Sequence, residues 1–110
     1  MELSKSQKKI ARTLIETGLQ REFAKGLSGA NAIIEEWKEK KTENRESYHQ
    51  LFRFIDKFDH HIARRYDRMS GSNYLFIIAA QVHDGFISDD ELKEFPDEII
   101  SGLNILLGRE

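Results

Sequence analysis

From Ser4 to Lys41, apolar or small residues return every three or four positions: Ala11, Ile15, Leu19, Phe23, Gly26/Leu27, Ala30, Ile33/Ile34 and Trp37. That period marks one face of a helix. No proline interrupts it, because the only proline of the chain is Pro96. The phase also survives the segment Gly26-Leu27-Ser28-Gly29. Each glycine costs a helix about 1 kcal/mol relative to alanine, but a turn here would leave nothing to keep the stripe in phase. The spacing therefore predicts one helix over residues 4–41, with two helices, 4–25 and 29–41, as the alternative. Ser4 and Gln7 have the spacing of a capping box at its start. A continuous helix of this length extends roughly 57 Å at 1.5 Å per residue. That is long for a chain of 110 residues and points to a dimer or to partner helices lying along it.

The polar stretch 38–44, KEKKTEN, reads as a turn. A second stripe follows, Tyr48, Leu51/Phe52, Ile55, Phe58, Ile62, Tyr66 and Met69, predicting a helix over 44–69 whose apolar side faces a core. In the segment 70–73, SGSN, Gly71 is expected to close that helix in the left-handed conformation and Ser72 to cap the next. The run NYLFIIAAQV is apolar nearly all round, as in a short buried helix; no second strand is present to pair with it as a sheet. Asp84-Gly85 is turn chemistry, and Ser88 with Glu91 forms another capping box. Pro96 begins a last helix, with Asp97 and Glu98 at its positive end and Ile99, Ile100, Leu103, Leu106 and Leu107 inward. The expected fold is all-α, a single domain over 1–110. A long antiparallel hairpin (4–41 and 44–69) carries three shorter C-terminal helices packed on it.

Composition narrows the chemistry. The chain has no cysteine, which excludes disulfides, thiolate catalysis and cysteine-ligated zinc. No apolar run reaches the ~20 residues of a membrane span, and the lysine-bearing start lacks the apolar core of a signal peptide. A cytoplasmic protein is expected. Residues 1–69 hold 15 Lys and Arg against 11 Asp and Glu, whereas residues 70–110 hold 2 against 8. Either the acidic end folds back on the basic part, or it recruits a basic partner or a second copy. Lys5, Lys8, Lys9 and Arg12, or Arg64, Arg65 and Arg68, have the chemistry to touch phosphates. The net charge of −2 and the lack of a recognition motif leave nucleic-acid association as a third reading.

The segment 58–67, FDHHIARRYD, concentrates histidine, arginine and aspartate. At about 100° per residue, His49, Arg53, Asp56, His60, Arg64 and Asp67 fall on one line almost opposite the apolar stripe, while His61 points elsewhere. His60 and His61 thus diverge and do not chelate one metal from a regular helix. The line reads as a wet face of weak charge pairs, or, as the alternative, a metal- or anion-binding stripe centred on His49, Asp56 and His60. Glu46 and His49 have the spacing of carboxylate-bridged metal bundles but lie away from the apolar side, in one copy only. The segment Asp84–Glu91 has the spacing of the second half of a calcium loop, but Ala80 and Val82 stand where its first ligands are needed. No catalytic motif occurs, so no catalytic residue, metal, cofactor or small molecule is expected. Ile10 and Leu14 lie off the main stripe of the first helix and need cover, from the C-terminal helices or from a second subunit. The reading that results is a non-catalytic helical interaction module with a protein partner or a homodimer. Its contact surface is expected at Ile10 and Leu14 or along the line from His49 to Asp67.

Overall fold

A computed structural model describes residues 2–109. These form α1 (Lys5–Lys38), α2 (Asn44–Tyr66), α3 (Tyr74–His83), a 3-10 helix (Asp89–Glu94) and α4 (Asp97–Leu106), with no strand among the described residues. The fold is all-α, and α1 is a single helix that runs unbroken through Gly26 and Gly29. Those glycines are sockets. A Cβ at Gly26 would stand 2.7 Å from the Phe58 ring, and one at Gly29 would collide with the Phe54 ring. Close seating of α2 aromatics offsets the helix propensity lost there.

The N-terminus of α1 is capped as its sequence requires. Ser4 Oγ accepts from the Gln7 N–H at 3.2 Å, and Gln7 Oε1 accepts from the Ser4 N–H at 2.9 Å. The helix stops at Lys38, short of the expected 41. Lys40 takes a left-handed φ of 59°, with its N–H donating to Trp37 O and the Lys41 N–H donating to Glu36 O. This is a Schellman closure. A lysine fills the position glycine favours, at a backbone cost of roughly 1–2 kcal/mol.

The chain gathers into two compact units, one joining the segment up to Arg21 with the segment from Arg68 onward, the other running from Glu22 to Asp67. In the first unit Ala11, Leu14 and Ile15 of α1 are buried, as are Ile77 and Ile78 of α3 and Ile99 and Leu103 of α4. The nearly all-apolar α3 is thus an interior element, with Phe76 its one large exposed apolar side chain. Its polar exception, Gln81, is fully buried; its Nε2 donates to Ile15 O at 3.0 Å, and its side chain lies against Gly18. Gly85, at φ 84°, makes the expected turn. The Ser88–Glu91 capping box forms, though it opens a 3-10 helix and not an α-helix.

Three details differ from expectation. Gly71 is not left-handed; α2 instead ends on Asp67 in right-handed geometry. Ser72 pairs with the Ser70 hydroxyl, and Asn73 holds the N-terminal boundary of α3 by accepting from the Ser70 N–H. Leu106, placed inward by its spacing, is the last residue of α4 and is 41% exposed, whereas Leu103 in the same turn is fully buried.

Arg21 locks the loop after α3. Its guanidinium meets both Glu91 carboxylate oxygens, at 2.7 and 3.0 Å, and donates to Phe86 O at 2.8 Å. The Arg21 hydrogen bonds, helped by the Ser88 backbone N–H, hold the Glu91 carboxyl down at about 2 from its ordinary 4.5. A carboxyl depressed by folding contributes stability above its ordinary pKa and loses it as the pH falls. Wild-type stability therefore declines between about pH 4.5 and pH 2 through this group. With the Arg21 side chain half exposed, solvent screening limits the contribution to the order of 1 kcal/mol. Urea titrations at pH 6, 4 and 2.5 check this: Glu91→Gln is less stable than wild type at pH 6 and loses less on acidification. Equal acid sensitivity of the two proteins contradicts the assignment.

Candidate functional site

The second unit is an antiparallel helical hairpin made of the second half of α1 and α2. From the open end to the turn, Glu22 meets His61 and Arg65, Gly26 meets Phe58, Gly29 meets Phe54, and Trp37 Nε1 donates to Asn44 Oδ1 at 2.7 Å.

Two features stand out in it, and neither is the histidine line. The first is a buried carboxylate. Glu22, on the inner side of α1, has only 1% of its surface exposed. Its Oε1 accepts from Arg65 Nη1 at 2.8 Å and from the Tyr66 hydroxyl, and its Oε2 lies 3.0 Å from His61 Nε2. A carboxylate removed from water at this depth is tolerated only where donors surround it, as three do here. His61, the residue whose angle set it apart from the polar line, faces this carboxylate.

The second feature is a bare apolar face. Only part of the α2 stripe expected to face a core is covered. Tyr48 is 70% exposed, Phe52 61% and Ile55 45%; from α1, Leu27 is 69% exposed, Trp37 43% and Phe23 41%. Met69, also expected in the core, lies beyond the end of α2 and is exposed. At about 100° per residue these side chains of the two helices stand on the same side of the hairpin. The physical reason for the mismatch is thickness: two helices cover only the line where they touch, and the rest of a wide stripe stays open. Near the turn the face deepens into a groove of about 320 Å³ walled by Ile33, Ile34, Trp37, Tyr48 and Leu51, with the buried Ser47 at its floor. Among the described residues Ser47 Oγ has no hydrogen-bond partner.

The residues singled out from sequence fall as follows. His49, Arg53, Asp56, His60, Arg64 and Asp67 are all exposed. Arg53 pairs with Glu46 at 3.1 Å, and His60 Nδ1 lies 2.7 Å from Asp56 O and 3.7 Å from Asp56 Oδ1. No group of three or more His, Asp or Glu side chains is placed to hold a metal ion among the described residues. Leu14 is buried and Ile10 half-buried, so of the two covers open to that pair, the first unit's own fold supplies most. No helix of the described residues is long and apolar enough to cross a membrane. Glu22 escaped the sequence reading, although it carried a signal. It stands on the inner line Ile15, Gly18, Gly26, Gly29, Ile33 at helical spacing, a charge where every neighbour on that line is apolar or small.

Set against known protein families, curated proteins and solved structures, the chain matches none.

Proposed function

We propose that this chain is a non-catalytic helical interaction module whose contact surface is the bare apolar face of the α1–α2 hairpin. The observation that carries the reading is the exposure of Phe23, Leu27, Trp37, Tyr48, Phe52 and Ile55 together on that one face. A contiguous apolar surface of more than a few hundred Å² is uncommon on a solitary soluble protein and marks a contact site. Amphipathic helices also draw most of their stability from burying the apolar stripe, and the hairpin alone leaves much of it open. The exposed, charged line from His49 to Asp67 runs alongside it on α2, turned away from α1.

The test is whether these side chains serve the fold. Leu27→Gln and Phe52→Gln each change stability by no more than about 0.5 kcal/mol at the lowest workable protein concentration, as substitutions of uncovered surface do. The single tryptophan, Trp37, reports the hairpin's unfolding in urea. A loss in the range of about 2–5 kcal/mol, the cost of truncating a buried aliphatic side chain, would make these residues core and remove the proposal.

A further inference from the structure

The occupant of the face is inscribed in the charge pattern along its edge. Arg45, Phe52 and Asp59 stand seven residues apart on α2, so they share one side of the helix, drifting only about 20° per step. Phe52 is the midpoint and one of the most exposed apolar residues of the face. Arg45 and Asp59 are exposed, and neither takes part in an ion pair among the described residues. An unpaired cation and an unpaired anion, placed symmetrically about an exposed aromatic, form a surface complementary to itself when turned end for end.

We infer that the face binds a second copy of this chain, with α2 antiparallel to the partner's α2 about a two-fold axis at Phe52. This rests on the interaction-surface reading above. In this arrangement the two Phe52 rings meet at the axis, Arg45 of each copy faces the partner's Asp59, and the two hairpins form a four-helix bundle. A parallel arrangement would set Arg45 against the partner's Arg45 and Asp59 against the partner's Asp59. Flanking charges select orientation in this way in coiled-coil pairs. The area suffices: at about 150–250 Å² for a large side chain, the six residues of the face expose roughly 650 Å² per copy. Two copies together remove about 1,300 Å², within the ~1,200–2,000 Å² of a stable interface.

The experiment is sedimentation equilibrium on the full chain at low salt, with circular dichroism to confirm helix content. Wild type is a dimer. Arg45→Asp gives each copy two acidic residues along the edge and Asp59→Arg gives each copy two basic ones, so each variant alone dimerises about tenfold or more weakly. The double variant recovers wild-type affinity to within about threefold, and an equimolar mixture of the two single variants associates where neither does alone. That mixture also shows that both variants are folded. A chain that stays monomeric at its highest soluble concentration overturns the second copy as occupant; the face itself stands or falls separately, on the stability of the Leu27 and Phe52 variants. A dimer indifferent to both swaps, or a mixture that does not associate, overturns the antiparallel arrangement.

Discussion

Glu22→Ala lowers the stability of the hairpin by about 3–5 kcal/mol, the cost of removing one partner from a buried ion pair. The figure is high because of what remains, not because the pair is strongly favourable. Arg65 has 13% of its side chain exposed, so its guanidinium keeps little water to replace the lost carboxylate. The buried Tyr66 hydroxyl loses the hydrogen bond it gives to Glu22 as well. Glu22→Gln keeps the shape and one acceptor and therefore costs less than Glu22→Ala. Urea unfolding followed by Trp37 fluorescence reads the effect within the unit that contains it. A change below about 1 kcal/mol, the worth of an exposed pair, would mean that water reaches the site and that its burial is illusory.

The second large effect has the opposite sign to the one helix propensity assigns. In an ordinary helix interior, replacing glycine by alanine gains about 1 kcal/mol. At Gly18 the added methyl collides with the Gln81 amide. Gln81 is fully buried and donates to Ile15 O, so it cannot swing into solvent. Overpacking costs about 1–3 kcal/mol and disturbing a buried hydrogen bond a further 1–3 kcal/mol or so. Gly18→Ala therefore loses about 2 kcal/mol or more net, measured as faster amide hydrogen exchange along α3 and a lower midpoint of thermal unfolding. Gly71 supplies the control. A Cβ there would meet the Lys8 side chain at 2.9 Å, near the flexible end of a half-buried lysine that can move away. Gly71→Ala stays within about 0.5 kcal/mol of wild type. Equal behaviour of the two variants would show that the Gly18 contact is soft.

The continuity of α1 was readable because one physical requirement, a face of constant phase, runs through residues on both sides of Gly26 and Gly29. Both capping boxes were readable because each is complete within four residues. The exposure of Tyr48, Phe52 and Ile55 was not, since a folding core and a contact surface select the same side chains at the same period. The partners of Glu22 were hidden for another reason. They lie some 40 residues away, and only the pairing of Gly26 with Phe58 and Gly29 with Phe54 fixes which turn of α2 comes opposite. Angular arithmetic on α2 separated His61 from the histidine line correctly, but it had no means of saying what His61 would face.

That aromatic-on-glycine fit has an ambiguity of its own. Gly26 and Gly29 lie about one helical turn apart on α1, and so do Phe54 and Phe58 on α2. Sliding one helix along the other by ~5.4 Å would seat Phe54 in the hollow that Phe58 now fills. That alignment restores one of the two aromatic-on-glycine seats and loses the other. The slipped one strands the Glu22 carboxylate opposite a phenyl ring, with its arginine a turn out of reach. A single desolvated charge consequently acts as the vernier mark of this hairpin, adding its own penalty to a near-miss that keeps only one aromatic seat.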